Sequence, residues 1–454
     1  MAAGAHAVLQ AGQLINNMWL KKKFAVTKGR SSTEHRRSAK VAASEHMSPV
    51  LEPDAEAAAA DRLAELTLIP GLTNDVAMQC LARVPRGLYA GLSSVSRAWK
   101  EALTSREILD TRKRLGCAEE WLYVLMRTDA GTDWRCWDPA TNRWRHLAPT
   151  PKTLDPRESA DVLAVDGRVL LIRRQQEPHC SGKAVYLGHF FVQDVCLYDP
   201  FTNTWERRTS MLEAREAFAA AVLGSEVIVA GGLTHGIRTR SVEAYNVATD
   251  RWTRKPDLVR GRSGCRAVVG DGGALWVFGE QEPQYNHRGV HHSTEVLPPH
   301  SATWAVDPDA WPTTSWPGPL AAVDGRLWML TRSDAAKPAR PPGALPQLHF
   351  ENIYEGYKYV AAYDPAAKRW ETVAPLAMAA GQPHCHTLRP AALGGKLILV
   401  GAAYAANPKR GGKETRLQVH QYEGGGDGKC PWKVIADGGN VGEGLLIGCA
   451  VLSL

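Results

Sequence analysis

Short apolar runs, each preceded by a glycine turn, recur along the chain from about residue 117 onwards. Five copies of this unit begin at Asp166, Gly224, Gly272, Asp324 and Gly394. Apolar runs of this length between turn residues are typical of buried β-strands. The pattern predicts a succession of hairpins, because glycine adopts the positive φ of a tight turn without strain at Cβ.

A second recurring unit joins an aromatic residue, an Asp-Pro turn and a tryptophan. Clear copies end at Trp144, Trp205, Trp252 and Trp370, and weaker copies end at Trp311 and Trp432. Proline restricts φ and asparagine tolerates the left-handed region, so Asp-Pro-x-x-Asn is a second kind of turn. The chain therefore alternates strand, glycine turn, strand, loop, strand, Asp-Pro turn and strand.

Four antiparallel strands in each repeat resemble the kelch blades of a β-propeller. Gly231-Gly232 and the pair Met211 and Arg215 match the kelch pattern, and six tryptophan units predict six blades over residues 117–454. Residues 441–454 are expected to supply the inner strand pair of the last blade, which the strands near residues 121–125 and 134–137 complete. The residues expected to pack the repeats are Trp144, Trp205, Gly231, Gly232, Trp252 and Trp370.

A helical pattern occupies residues 66–115. Asn74 or Asp75 can cap a first helix, which Pro85 ends. A second helix is expected from the stripe Leu88, Leu92, Val95 and Trp99, spaced by four, three and four residues. Leu103, Ile108 and Leu109 continue a third short helix. Three short helices make a very small core, so a module of this kind usually gains stability from a partner.

The order of these elements resembles the F-box, a helical module that docks on the Skp adaptor of cullin-based ubiquitin ligases. The matching segments are Leu68-Ile69-Pro70-Gly71-Leu72, Leu81-x-x-Val84-Pro85 and Leu92-x-x-Val95-Ser96-Arg97-x-Trp99. By this resemblance, the positions that face the adaptor or pack the module are Leu72, Val76, Leu81, Val84, Pro85, Leu92, Val95 and Trp99. The sequence does not divide these two roles. Thr73 stands where F-boxes usually have proline, which is expected to weaken the start of the first helix.

An F-box followed by kelch repeats is similar to the plant-type F-box/kelch-repeat family. The resemblance implies a mainly β protein that acts as the substrate-recognition subunit of an SCF-type ubiquitin ligase and has no catalytic residues or cofactor of its own. Its implied partners are the Skp adaptor, a cullin held through that adaptor, and a protein substrate. An alternative function is a kelch interaction scaffold whose altered F-box does not engage the adaptor.

The longest insertions all fall between the second and third strands of a repeat, so they are expected at one end of the blades. They are at about residues 173–191, 233–241, 280–300, 331–358 and 402–416. This face has an excess of basic residues, which predicts a protein partner with an acidic surface. The equally weighted alternative is that these long loops are simply polar and solvated. Candidate substrate-binding residues are Arg173, Arg174, Arg238, Arg240, Arg288, His291, Lys409 and Arg410.

Charge is concentrated at the amino-terminal end. The chain of 454 residues has a formal charge of +7, and residues 1–50 alone hold eight basic and two acidic residues. Residues 1–65 are therefore expected to be a disordered basic tail, with nuclear import or an organelle transit peptide as alternatives. The near-neutral remainder gives no indication of nucleic-acid binding, and no apolar stretch is long enough for a membrane helix.

Nine scattered cysteines without a Cys-x-x-Cys pair favour a reducing cytoplasmic or nuclear setting. Two histidine-rich segments are weak metal candidates: one contains His287, His291 and His292, and the other is His384-Cys385-His386. Neither has the ligand spacing of a structural zinc site, so no metal is expected. A metal-dependent propeller enzyme remains the least favoured alternative.

Overall fold

A computed structural model describes residues 67–128, 131–151, 159–174, 194–281, 292–307, 318–331, 357–376, 388–407, 412–424, 430–441 and 444–454. These residues form two compact units. The helical unit contains the described residues up to Glu119 together with Leu454, and the β unit contains Glu120–Ser453. No helix of the described part is long and apolar enough to cross a membrane.

The helical unit contains four α-helices and one 3-10 turn. They are α1 (Asn74–Ala82), the 3-10 turn Arg86–Leu88, α2 (Tyr89–Leu92), α3 (Arg97–Thr104) and α4 (Arg106–Arg114).

The β unit contains twenty-six described strands. The first third are β1 (Glu120–Thr128), β2 (Gly131–Asp138), β3 (Arg143–His146), β4 (Ser159–Val165), β5 (Arg168–Arg174), β6 (Val195–Asp199), β7 (Thr204–Arg208), β8 (Ala219–Leu223) and β9 (Glu226–Ala230). The next are β10 (Leu233–Thr234), β11 (Ile237–Arg238), β12 (Val242–Asn246), β13 (Arg251–Lys255), β14 (Arg262–Val269), β15 (Leu275–Gln281), β16 (His292–Leu297) and β17 (Ala305–Asp307). The last are β18 (Leu320–Val323), β19 (Arg326–Thr331), β20 (Tyr359–Asp364), β21 (Arg369–Pro375), β22 (Arg389–Leu393), β23 (Lys396–Asn407), β24 (Gly412–Tyr422), β25 (Trp432–Asn440) and β26 (Leu445–Ser453).

Six four-stranded antiparallel sheets form the blades of a propeller, which confirms the predicted fold and blade number. In order, the blades are β4–β7; β8, β9, β12 and β13; β14–β17; β18–β21; β22–β25; and β26 with β1–β3. Each inner strand contacts the inner strand of the next blade, and β26 contacts β4, so the ring is closed. Closure packs the sixth blade against the first, so neither blade leaves an apolar sheet face in water.

The sixth blade combines strands from both ends of the β unit. The prediction that residues 441–454 supply a pair of inner strands is wrong, because this segment forms the single strand β26. It pairs antiparallel with β1, matching Trp121 with Leu452 and Val124 with Cys449. One strand is sufficient because the amino-terminal end of the β unit supplies three strands of this blade, β1–β3. The sequence analysis expected only two strands there, near residues 121–125 and 134–137.

Turn chemistry is as the sequence predicts. Asp166 and Asp324 adopt positive φ in the hairpins between the first and second strands of their blades. Asn142 and Asn203 do so in the Asp-Pro turns between the third and fourth strands. Because alternate strands are antiparallel, both kinds of turn lie at one end of the blades. The opposite end, called the loop face below, carries the connections from second to third strand and from one blade to the next.

Tryptophans at the outer strands link neighbouring blades. In four blades the indole N–H donates to a backbone carbonyl at or just beyond the outer strand of the preceding blade. These bonds join Trp205 to Ala148 (3.3 Å), Trp252 to Thr209 (2.8 Å), Trp304 to Pro256 (2.9 Å) and Trp432 to Pro375 (2.9 Å). A buried indole N–H needs such an acceptor, so the bond both satisfies the ring and positions the blade.

The third blade departs from the predicted repeat. The sequence analysis assigned its tryptophan to Trp311, beyond an Asp-Pro turn at Asp307-Pro308. In the structure Asp307 ends the outer strand itself, and Trp304 makes the bond to the second blade. That prediction is wrong, and Trp311 lies outside the described residues.

The two remaining repeat tryptophans pack against aromatic rings on the adjacent strand. Trp144 stacks on Trp137 at 6.3 Å between ring centroids. Trp370 is buried and lies 5.5 Å from Tyr363. Aromatic pairs directly opposite on neighbouring strands stabilise a sheet beyond their buried area.

The double glycine of the second blade meets the backbone of neighbouring segments. Gly231 and Gly232 both have positive φ, and Gly232 N–H donates to Arg262 O at 2.8 Å. A Cβ at Gly231 would lie 2.9 Å from Arg262 O, and one at Gly232 would lie 2.5 Å from Glu216 O. Any larger residue would therefore push apart the second and third blades.

Two arginine–glutamate pairs are fully buried in the second and third blades. Arg215 contacts Glu243, and Arg262 lies 2.8 Å from Glu295; none of these four side chains has exposed surface. Each glutamate also accepts two backbone N–H bonds from the connection that enters its blade. Each arginine donates to the carbonyl of a glycine in the second strand, Gly231 or Gly279. The same charged network thus recurs in adjacent blades.

Removal of one partner should be costly because the other charge stays buried. We predict that Glu243→Ala lowers the free energy of unfolding of the β unit by about 3–5 kcal/mol. Glu226→Ala is the matched control, since Glu226 forms a surface pair with Lys255 at 2.8 Å and should change stability by about 0–1 kcal/mol. Urea unfolding of the full chain measures both, and equal losses would contradict the prediction.

His420 occupies the fifth blade at the position of Glu243, two residues before the tyrosine that faces the repeat tryptophan. The side chain is buried, and burial lowers its pKa to about 4 because the charged imidazolium loses its hydration. Between pH 6.5 and 4 the unfolded chain therefore holds a proton on this residue that the folded chain lacks. Stability falls as the pH falls through this window.

We predict that His420→Gln reduces the acid sensitivity of the fold. The wild type should lose up to about 3 kcal/mol between pH 7 and pH 4 through this residue, whereas glutamine has no titrating group. Urea unfolding midpoints of both proteins are measured at pH 7, 5.5 and 4.5. The difference between the two proteins reports on His420, because the contributions of the other titrating groups cancel. Parallel pH profiles of the two proteins would show that His420 does not matter.

Candidate functional site

The helical unit begins with a tight turn. Leu72 N–H donates to Ile69 O at 3.1 Å, and Gly71 has φ 85°. Thr73 is the N-cap residue of α1, with φ −65°, but its side chain makes no capping bond. The prediction that Asn74 or Asp75 caps this helix is wrong, because both residues are already within it. The Asn74 side chain instead accepts a hydrogen bond from Leu68 N–H at 3.1 Å.

The apolar stripe from Leu88 to Trp99 is not one helix. It crosses the 3-10 turn, α2 and a turn before α3 begins at Arg97. The Ser96 side chain accepts a hydrogen bond from Trp99 N–H and so caps α3. A serine that satisfies the first free N–H groups starts a helix there and overrides the continuous apolar spacing.

The structure separates the eight predicted F-box positions by exposure. Leu81, Leu92 and Trp99 are buried, and the Trp99 indole N–H donates to Leu68 O. Val84 and Val95 are half-buried. The three remaining positions, Leu72, Val76 and Pro85, are exposed.

The exposed apolar residues of the helical unit include a row along α1. Val76 and Cys80 are spaced by four residues within α1, so they lie on one side of the helix, and Leu72 precedes its N-cap residue; all three are exposed. Leu88 is also exposed, although the sequence analysis treated it only as part of a helical stripe. Exposed aliphatic residues in a unit this small are candidates for a protein contact.

Arg112 organises the packing behind this row. Its side chain is 1% exposed, and its five guanidinium N–H donors are shared among six acceptors at 2.7–3.1 Å. The acceptors are the carbonyls of Ala82, Val84, Cys117 and Leu454, the Tyr89 hydroxyl and the Glu119 carboxylate. The sequence analysis missed Arg112, because an arginine in a charged helix segment is usually solvated.

Tyr89 and Glu119 complete this buried network. The Tyr89 hydroxyl donates to Leu81 O at 3.2 Å, and burial raises its pKa. Glu119 also accepts a bond from Arg86 N–H at 3.1 Å. The network therefore ties the end of α1 to α2 and α4 while α1 keeps an exposed apolar side.

On the β unit, the structure describes only some of the predicted substrate-binding residues. Arg173, Arg238 and Arg240 lie at connections from second to third strand, on the loop face. Arg174 ends β5, but its side chain is outside the described part, as are Arg288, His291, Lys409 and Arg410. The roles of all eight residues stay predictions.

Two details change the charge expected at the loop face. Glu295 was counted with the insertion at residues 280–300, but it is buried in β16 and paired with Arg262. Arg173 lies 3.4 Å from Asp194, which also contacts Arg207, so its charge is compensated. In addition, much of the predicted loop at residues 402–416 is a long hairpin of β23 and β24.

The possible metal ligands among the described residues are scattered. No group of three or more His, Cys, Asp or Glu side chains among them could hold a metal ion. Burial raises the pKa of Cys196 to about 11 and that of Cys449 to about 12, so both thiols stay protonated. Of the candidate metal residues, His287, His291 and the segment 384–386 lie outside the described residues.

Thr73 already has backbone angles that proline can adopt. Among the described residues no backbone carbonyl accepts its N–H, so we predict that Thr73→Pro stabilises α1 by about 0.4–1 kcal/mol. Thr73→Ala is the control and should have a smaller effect, because the Thr73 side chain makes no cap bond. Hydrogen exchange of α1 amides in the full chain measures both changes; faster exchange in Thr73→Pro would contradict the prediction.

Comparison with known proteins finds a motif and several relatives similar to parts of this chain. The family model described as Kelch motif matches residues 214–259, which is the region of the second blade. F-box/kelch-repeat protein At1g67480 of Arabidopsis thaliana is 36% identical over 47% of this chain and 54% of its own length. F-box/kelch-repeat protein At1g16250 is 29% identical, with 55% and 64% covered, and F-box/kelch-repeat protein SKIP30 is 29% identical, with 58% and 71% covered.

The alignments thus span about half to two thirds of the first two relatives. Among solved structures, the one titled Structure of YjhT aligns with a TM-score of 0.41 and 13% identity, covering 66% of this chain and 90% of that one. In its kelch motif, its six blades and the named relatives, the chain is similar to the plant-type F-box/kelch-repeat family.

Proposed function

We propose that this protein is the substrate-recognition subunit of a cullin-based, SCF-type ubiquitin-protein ligase. The helical unit acts as the F-box, within residues 66–115, and binds a Skp adaptor that connects it to the cullin. The kelch propeller, within residues 117–454, binds the protein to be ubiquitinated. The observation that carries the proposal is the exposed apolar side of α1 in a unit whose other predicted F-box residues, apart from Pro85, are buried or half-buried.

The exposure pattern supports a docking function for α1. Leu81, Leu92 and Trp99 fill the interior, so they hold the unit together and are not available to a partner. Leu72 and Val76 have no such role and leave apolar surface in water, which binding of an adaptor would bury. Leu88 offers a further exposed contact on the 3-10 turn.

The propeller supports a receptor function without chemistry of its own. Its blades are joined by indole hydrogen bonds and buried ion pairs, which give a rigid base for the connections on the loop face. In this scheme the other subunits of the ligase bring activated ubiquitin, and the receptor contributes by holding the substrate nearby. Its described cysteines are all free thiols, which is consistent with action in the cytoplasm or nucleus.

We predict that Val76→Asp abolishes or greatly weakens adaptor binding without unfolding the protein. Val76 is 45% exposed, so aspartate is tolerated in the free chain but places a charge in the apolar interface. Co-purification of a Skp adaptor with the full chain should fall by about tenfold or more. Val434→Asp is the matched control, because Val434 is 39% exposed in the fifth blade and should bind normally.

Buried positions are unsuitable for this test, since Leu92→Asp would unfold the helical unit and lose the adaptor for that reason alone. If the wild type captures no adaptor, the ligase proposal fails and the scaffold function becomes the better account. Recovery of capture by Thr73→Pro would then locate the defect at the start of α1.

A further inference from the structure

Three exposed aliphatic side chains lie on the loop face of the second and third blades. Ile237 is 68% exposed in the β10–β11 hairpin, between the second and third strands of the second blade. Leu212 and Val259 are exposed in the connections that enter the second and third blades, one residue after the buried Met211 and Leu258. The same arrangement therefore appears twice, in adjacent blades.

The hairpin that carries Ile237 is attached to the connection that carries Val259. Leu258 N–H donates to Arg240 O at 2.9 Å, and Arg262 N–H donates to Thr239 O at 3.3 Å. The Arg238 side chain donates to Ser263 Oγ at 3.0 Å. Gly261 packs so closely that a Cβ would lie 2.9 Å from Arg238 O. These two segments form one continuous surface.

Leu212 and Val259 are held in place from beneath. Leu212 N–H donates to Glu243 at 2.8 Å, and Val259 N–H donates to Glu295 at 2.6 Å. Both glutamates belong to the buried ion pairs, so the backbone at each exposed side chain is fixed. A surface that needs no ordering on association loses less conformational entropy when it binds.

The charge of this surface is mainly positive. Residues 237–240 and 258–262 contain four arginines, of which Arg262 is paired with the buried Glu295, and the nearest exposed carboxylate along these segments is Asp257. Arg240 and Arg260 are exposed beside Ile237 and Val259. We call Leu212, Ile237, Arg240, Val259 and Arg260 the loop-face patch.

We propose that the loop-face patch binds an extended segment of the substrate in which acidic residues alternate with aliphatic or aromatic ones. The aliphatic side chains bury the apolar residues of the segment, and Arg240 and Arg260 pair with its carboxylates. The inference that the bound segment belongs to a ubiquitination substrate rests on the proposed ligase function. The presence of the binding site does not depend on it. A polyanion such as single-stranded RNA would use the arginines alone and leave Ile237 in water.

The test is selection of binders from a random 12-residue peptide library on the immobilised full chain, followed by affinity measurement with synthetic copies. Enriched peptides should contain acidic residues next to aliphatic or aromatic ones. Ile237→Asp and Arg240→Glu should each weaken binding by about tenfold or more, and lysine in place of the acidic residues should restore binding to Arg240→Glu.

Two matched variants serve as controls. Val306→Asp changes an exposed valine on the outer strand of the third blade, and Arg251→Glu changes an exposed arginine next to a turn at the opposite end of the blades. Both should bind the peptides like wild type. Ile237→Ser repeats the test at that position without introducing a charge.

Three results would overturn the proposal: no enriched peptide, enriched peptides that ignore the patch variants, or a 12-nucleotide RNA that displaces the peptides and depends on Arg240 but not on Ile237. Adaptor capture is measured on the same preparations. If the full chain binds the peptides but captures no adaptor, the ligase function is rejected and the loop-face patch is retained. If it captures the adaptor but binds no peptide at the patch, only the loop-face patch is rejected.

Discussion

Pairing of β1 with β26 is the constraint on which the β unit depends. Without it, β26 would be separated from the rest of the sixth blade, and the inner strands would not form a ring. Each blade is packed on both faces by its neighbours, so the register between strands and the spacing between blades must agree around the whole circle. Indole bonds from Trp205, Trp252, Trp304 and Trp432 maintain that spacing at the outer strands, where apolar contact alone would allow sliding.

The buried ion pairs have a comparable role on the loop face. Arg215 with Glu243 and Arg262 with Glu295 join the incoming connection to the second and third strands of their blades. A hydrophobic substitute of similar volume could fill the same space but could not accept the backbone N–H groups of residues 212 and 259. Structure and recognition are therefore linked in these two blades, because the groups that stabilise them also fix the exposed Leu212 and Val259.

The sequence predicts features whose cause is local. Asp166 and Asn203 adopt positive φ as expected, because turn conformation depends on a few neighbouring residues. The prediction of Trp311 failed because the indole bond to the preceding blade depends on where the ring lies in space. Trp304 occupies that place, although its spacing in the sequence is irregular. The stripe from Leu88 to Trp99 failed because apolar periodicity is insensitive to Ser96, whose side chain starts a new helix. Val76 and Leu81 are both apolar residues of α1, and only the packing distinguishes the exposed side chain from the buried one.

Arg112 has a consequence for the order in which the protein matures. One of its hydrogen bonds reaches Leu454, a residue 342 positions later in the chain. Leu454 also exchanges two backbone hydrogen bonds with Glu119. A ribosome therefore synthesises all of the blades before the amino-terminal helices can acquire their full set of bonds. The newly made helical unit passes through a period in which Arg112 has its acceptors within residues 82–119 but not the Leu454 carbonyl.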